Sequence, residues 1–191
     1  MAQGYFHYNG IPVAQKEGVE DAFHMLFKVV KPSRVVEIGT SCGGLTIIMR
    51  DLLDRLDFTQ CPIWTYDIPA EYYDRQSLDR AISSGSNIIS YLDNIFENNF
   101  SNIMQEKRDD ITQFIQSSGT TIILCDGGSK KDEFRIFSDI MKSGDIILAH
   151  DYAPNEEVFR SEIYDKVWNW MEIQDNDIKE PVHRNRLIPF L

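Results

Sequence analysis

The chain is poor in cysteine, in basic residues and in long apolar runs. Three cysteines, Cys42, Cys61 and Cys125, stand far apart among 191 residues with no C-x-x-C pair. That excludes a disulfide scaffold and a zinc knuckle, suits a reducing compartment, and makes all three structural thiols. Lysine and arginine number 19 against 30 acidic residues, a net charge of −11. A surface of that sign repels phosphate backbones and anionic lipid, so neither nucleic acid nor a membrane is an expected partner. Arg50, Asp51, Asp67, Asp126 and Asp145 interrupt every greasy stretch before it reaches the roughly 18 residues of a membrane span. Residues 1–10 have neither the basic start nor the apolar core of a signal peptide, and the expected location is cytoplasmic. What remains is ordinary globular composition at the length of one domain, with no repeat and no linker.

Two periods alternate along the chain. Lys16 to Lys31 carries Val19, Ala22, Phe23, Leu26, Val29 and Val30 at helical spacing until Pro32 stops it. Arg34 to Gly39 is short, β-branched and closed by glycine, as a buried parallel strand is. A helix follows from Gly43, then a strand from Pro62 to Tyr66 that ends at Asp67, a helix from Ala70 to Ile82, and a strand from Ile88 to Leu92. The spacing of Phe100, Ile103, Met104, Ile111, Phe114 and Ile115 predicts a long helix entered through 97–102 and closed by Gly119. Thr120 to Cys125 reads as a strand, Ser129 to Asp132 as a capping box opening the next helix, and Asp145 to Ala149 as a fifth strand. Between Asn155 and Ile173 the pattern fits a helix, with 168–173 readable as strand, and Leu187 to Phe190 reads as a last strand.

Five strand–helix alternations predict an α/β fold, a Rossmann-like, doubly wound and mostly parallel sheet with helices on both faces. Ligands in such sheets sit at the carboxyl ends of the strands. Here those ends carry Gly39-Thr40-Ser41-Cys42-Gly43, Asp67, Asp93, Asp126-Gly127-Gly128 and His150-Asp151, which gathers acids and glycines on one edge. A dinucleotide site would want G-x-G-x-x-G at the first of these, and Ser41 stands where its second glycine belongs. An acid before the loop, Glu37, suits a cation better than a pyrophosphate. E-x-G-x-x-x-G with an acid at the end of the next strand therefore suits S-adenosylmethionine, which has no phosphate, a positive amino-acid end and a ribose diol.

From about Gly10 to Tyr152 the chain resembles the class I S-adenosylmethionine-dependent methyltransferases. The resemblance makes Glu37, Gly39, Thr40, Ser41 and Gly43 the first cofactor motif, Asp67 the ribose acid and Asp93 the adenine-side residue, with Asp126 also beside the cofactor. The chain is similar above all to their metal-dependent branch, which includes catechol and macrocin O-methyltransferases and the cephalosporin hydroxylase-like group. The shared marks are an entry like Gly10 to Gln15, Lys31-Pro32 before the first strand, and a fourth strand ending in Asp126-Gly127-Gly128. That branch implies a divalent ion, Mg2+ or Mn2+, held by Asp126, His150 and Asp151. His150 departs from the Glu, Asp or Asn usual there. It shifts the preference toward manganese, iron or zinc, or serves as a general base with no metal bound, or is simply a hydrogen-bonded histidine at a strand end.

The resemblance implies O-methylation of a small molecule or sugar hydroxyl, with Lys130, His150 and Asp126 as the catalytic candidates and Lys131 as a rival to Lys130. The bland reading of both lysines is solvated charge in a first helical turn. Residues 1–32 would cap the site, with Tyr5 to Tyr8 either over the acceptor or a frayed end; Trp168 and Trp170 read first as packing for the core or an oligomer interface, and otherwise, with His183 to Arg186, as holding a sugar or an anion. No 2-His-1-carboxylate iron triad and no Asn/Asp-Pro-Pro-Tyr/Phe motif is visible, against hydroxylation and against methylation of nucleic acid. A non-catalytic partner or ligand-binding domain on the same fold is the remaining alternative, and a homo-oligomer is left open.

Overall fold

Short runs that are apolar on both faces can close their backbone hydrogen bonds only beside one another and under helices. The computed structural model describes residues 6–69, 74–97 and 99–190. Its central sheet holds β3 (Arg34–Ile38), β4 (Ile63–Asp67), β5 (Ile88–Leu92), β6 (Thr121–Cys125) and β7 (Ile146–Ala149), all parallel, in the order β5-β4-β3-β6-β7. The five predicted strands are these five. From β3 the chain steps outward to β5, then returns to lay β6 on the other side of β3, so the winding reverses between β3 and β6. Their carboxyl ends open a crevice there.

Alternate residues of each strand feed two cores. Val35, Ile63, Ile122 and Leu124 pack under α1 (Val19–Val30), α2 (Gly44–Arg55) and α3 (Gln76–Ser83), against Phe27, Ile48, Leu52 and Leu78. Val36, Ile38, Ile123 and Cys125 face α4 (Gln105–Gln116), α5 (Lys130–Ile140) and α7 (Asp175–Asn185), against Ile111, Ile115, Phe137 and Ile140. Cys61 and Cys125 are buried and Cys42 half-buried, all free, in keeping with structural thiols.

Several boundaries differ from expectation. On α1 the buried rings are Phe23, which belongs to the expected stripe, and Phe27, which does not, while Val29 and Ala22 of that stripe face outward. Of the predicted helix over 70–82, residues 70–73 lie outside those described and the helix starts at Gln76. The long helix starts only at Gln105, because Phe96 and Ile103 bridge antiparallel and fold the intervening turn back on itself. Ser129 caps no backbone N–H with its side chain; its hydroxyl bonds Asp132, and Glu133 takes the N–H groups of Ser129 and Gly127 instead. Leu187 to Phe190 is not a strand. The helix before it, α7, was not foreseen, since Pro181 interrupts its pattern; it packs Ile178 and Val182 on the second core.

Two small sheets were also not foreseen. β1 (Phe6–Tyr8) and β2 (Ile11–Val13) form an antiparallel hairpin on α2, where the Tyr8 hydroxyl donates to Asp51 at 2.9 Å. Beyond β7, β8 (Tyr152–Ala153) pairs in parallel with β9 (Ile173–Gln174). Between them run a short α6 (Glu156–Val158), a π-helical turn over 159–163 and an irregular stretch carrying Trp168 and Trp170.

Candidate functional site

A cleft of about 510 Å³ lies across the carboxyl ends of the five strands. That is an ordinary size for a small-molecule site. Gly39, Ser41, Asp67, Asp93, Asp126, His150 and Asp151, seven of the residues expected at the site, line it together. Ile68, Ile95, Phe96 and Phe100 supply apolar wall between the acids.

The glycine loop closes over the crevice because Gly39 allows it to. With φ +97, Gly39 stands so close to the next strand end that a Cβ there would meet the Asp126 carbonyl oxygen at 2.1 Å. Gly43, φ +82, ends the loop as the residue before α2. Ser41 adopts φ +50 without being glycine. Its N–H donates to Asp67 Oδ2 at 2.7 Å, and its carbonyl accepts from Arg75 Nε at 2.8 Å. Arg75 Nη2 also reaches Asp67 Oδ2 at 2.8 Å, so the expected ribose acid is tied to the loop and to a buried guanidinium. Asp93 is exposed at the cleft's end, where Lys107, 2.9 Å away, holds its carboxyl below the usual range.

Glu37 and Thr40 lie beneath the cleft rather than on its wall. Glu37 Oε2 accepts 2.6 Å bonds from Thr46 and Thr65, and Thr40 stands 2.6 Å from Thr65. Thr65 has one proton, already given to Glu37, so Thr40 donates to Thr65. The other carboxyl oxygen, Oε1, is buried without a partner. Burial, with Asp126 and Asp67 nearby, pushes Glu37 up to about 7.

At the opposite wall β6 and β7 bring Asp126, His150 and Asp151 together, with one donor atom of each within 4.8 Å of the others. His150 Nδ1 is 3.1 Å from Asp126 Oδ1 and 3.1 Å from Asp151 Oδ1. One N–H cannot serve both oxygens, and Asp151 Oδ1 is left without a hydrogen bond. The far oxygens are fixed from outside: Gln15 Nε2 donates to Asp126 Oδ2 at 2.7 Å, and Lys130 Nζ stands 3.2 Å from Asp151 Oδ2. Burial opposes a charged imidazole, yet the two carboxylates outweigh it and lift His150 to about 9. Burial likewise favours a neutral Asp151, but His150 and Lys130 hold it below its ordinary value, whereas for Asp126 burial prevails and the carboxyl is raised.

Lys130 is not the solvated charge of the bland reading. It is 5% exposed, with Nζ 2.8 Å from Glu172, 3.2 Å from Asp151 and 3.6 Å from Asp126. Although burial disfavours its charge, these acids raise its pKa further above the ordinary lysine value. Lys131 is exposed. Trp168 lies over His150 with ring centroids 5.1 Å apart, and Trp170 stands at the cleft mouth.

Two expected contributors are elsewhere. Phe6 to Tyr8 pack with the hairpin and not on the cleft, and Tyr5 lies outside the described residues; from the N-terminal segment it is Ala14 and Gln15 that reach the site. The His183 to Arg186 stretch sits at the end of α7, where Arg184 is bound to Asp139 and Glu180. Sequence reasoning gave no role to Arg75, Glu133 or Glu172, because each acts through a partner that only the fold brings near.

The donor set fits a divalent cation. Adjacent ligands of an octahedral ion at about 2.1 Å are about 3 Å apart, close to the spacing around Nδ1 here. Two oxygens and one imidazole nitrogen suit manganese, iron or zinc better than magnesium. The cleft also fits a ligand carrying positive charge better than a pyrophosphate, since acids and an unpartnered buried carboxyl oxygen surround its glycine loop.

No family model matches the chain, and no curated protein does. Solved structures match its fold. A putative caffeoyl-CoA O-methyltransferase from Staphylococcus aureus superposes with a TM-score of 0.53 at 14% identity, over 75% of this chain and 61% of that one. The CmcI N160 structure with SAH gives 0.53 at 13%, over 85% and 71%. Human N-acetylserotonin methyltransferase in complex with SAM gives 0.53 at 13%, over 91% and 47%. The chain thus spans less than two thirds of the first and third, and at these identities the likeness is one of fold.

Proposed function

We propose that the chain is an S-adenosylmethionine-dependent methyltransferase that methylates a hydroxyl of a small molecule, with a divalent ion at Asp126, His150 and Asp151. The observation that carries the reading is the joining of two differently built walls in one cleft: the loop of Gly39 to Gly43 with Asp67 and Asp93 on one side, the His–Asp–Asp cluster on the other. Fold likeness to methyltransferases that hold SAM or SAH supports the cofactor.

When bound, the cofactor would supply a sulfonium-activated methyl group and the ion would acidify an acceptor hydroxyl. The chain's own residues do the rest. Asp67 and Asp93 offer oxygens to ribose and base. Gln15 and Lys130 turn Asp126 Oδ1 and Asp151 Oδ1 toward His150, as outer partners of a metal site do. Lys130, held as a cation by three acids, offsets their charge and is no proton acceptor at neutral pH. His150 is also charged near neutrality, so it is not a ready base, and Nδ1 must shed its proton before it can ligate. Trp168 excludes water from His150, and Trp170 shapes the acceptor's entrance.

Titration calorimetry with SAH, with and without Mn2+ or Mg2+, tests the reading. Binding that stabilises the fold, as mass action requires, is expected: a hundredfold excess over Kd adds about 2.7 kcal/mol. Saturating SAH that leaves heat flow and melting temperature unchanged would refute it and leave a partner-binding domain.

A further inference from the structure

Ser41 occupies the place where a glycine loop of this shape would carry a second glycine, and it takes the left-handed φ, +50, that glycine adopts freely and serine does not. Three bonds hold it there. Its N–H goes to Asp67 Oδ2 (2.7 Å), its carbonyl accepts from Arg75 Nε (2.8 Å), and Arg75 Nη2 closes the ring onto the same Asp67 oxygen (2.8 Å). The guanidinium is 8% exposed and Asp67's side chain 14%, so solvent screens the ring little. A planar fork can bridge a carbonyl and a carboxylate at once, which a lysine ammonium does not reproduce.

We infer that Arg75 is a positioning residue for the cofactor loop: by stapling Ser41 to Asp67 it enforces a backbone shape that a glycine would otherwise provide, and it leaves Asp67 only Oδ1 to offer a ligand. Oδ1 already accepts the Ile68 N–H at 2.8 Å, so it has capacity for one further donor. Asp67 therefore grips one ribose hydroxyl and not the diol. The inference rests on the cleft being a S-adenosylmethionine site, but the staple is a property of the free chain and is tested there as well.

Arg75→Gln, Arg75→Gln/Ser41→Gly and wild type would be compared at a temperature where circular dichroism shows all three folded. Without ligand, hydrogen exchange of the peptide covering 40–44 should quicken in Arg75→Gln and return toward wild type in the double variant. With SAH, Kd should rise about tenfold or more in Arg75→Gln, equivalent to about 1.4 kcal/mol, and be restored by Ser41→Gly. If the double variant stays as weak as the single one, Arg75 acts on Asp67 or the ligand directly and the inference is overturned. Unchanged exchange at 40–44 in Arg75→Gln overturns it without reference to cofactor. If instead the exchange follows the staple while wild type binds no SAH, the staple stands and the methyltransferase reading fails.

Discussion

Replacing Gly39 by alanine probes the contact on which the crevice depends. The added Cβ would lie 2.1 Å from the Asp126 carbonyl oxygen, 2.5 Å from its carbon and 2.9 Å from the Gly127 nitrogen, all backbone atoms with no rotamer to escape into. The φ of +97 costs about 1–2 kcal/mol for any L-residue. Relief by parting the strand ends strains the 2.9 Å bond from Asp126 N–H to the Ile38 carbonyl, about 1 kcal/mol. Overpacking adds about 1–3 kcal/mol. The sum, about 3–6 kcal/mol, is a large share of the roughly 5–15 kcal/mol that holds a domain folded, and at about 2–4 °C per kcal/mol the melting temperature should fall by roughly 6 °C or more. Gly85→Ala is the control: its φ, +87, is nearly the same, but nothing lies within 4 Å of the new Cβ, so only the conformational cost applies. Thermal unfolding followed by circular dichroism reads both. Equal losses in the two variants, or a Gly39→Ala protein within about 2 °C of wild type, would refute the claimed contact.

Lys130→Met should destabilise by about 1–3 kcal/mol, since it removes one of the two cations facing Asp126 and Asp151 and leaves His150 as the other, while Lys131→Met on the exposed side should stay within about 0.5 kcal/mol; urea unfolding separates them. His150→Ala should abolish stabilisation by Mn2+ and spare that by SAH, which paired thermal shifts would reveal. Because the folded-state value of Glu37 is raised, from 4.5 to about 7, its contribution is full below pH 4.5 and is lost as pH climbs to 7, at most about 3 kcal/mol; in Glu37→Gln the melting temperature should decline less across that window. His150, raised from 6.5 to about 9, shifts the same sign of loss upward: in chelator, stability should fall between those values and His150→Ala should flatten the fall.

The sequence was legible where one residue answers to one layer. β3 and β6 are buried along their whole length, and a run such as Thr121 to Cys125 has no other stable home. The strand-end rule then located Gly39, Asp67, Asp126, His150 and Asp151 without coordinates. It failed where long-range partners decide. Nothing local marks Glu172 as the acid that holds Lys130, because parallel pairing of β9 with β8 delivers it from the end of a long excursion. Arg75 lies inside the stretch read as a helix from Ala70 to Ile82, and nothing local shows that it meets Ser41 and Asp67. α7 hid behind Pro181 and only two half-buried apolar residues on its core side, and the turn over 97–102 reads as a helix entry until Phe96 finds Ile103.

The excursion between β8 and β9 leaves the sheet just after Asp151 and returns to pair where it left, with the backbone N–H of Glu172 bonded to the Asp151 carbonyl at 2.9 Å. Both of its feet therefore stand at Asp151, and its interior carries Trp168, which lies over His150, and Trp170, which lines the cleft. The loop and acids that would hold the cofactor come from an earlier stretch of chain altogether. Such a division lets residues 154–171 change what enters the cleft between two fixed anchor strands without touching Gly39 to Gly43 or Asp67, so long as Glu172 at the returning foot still holds Lys130.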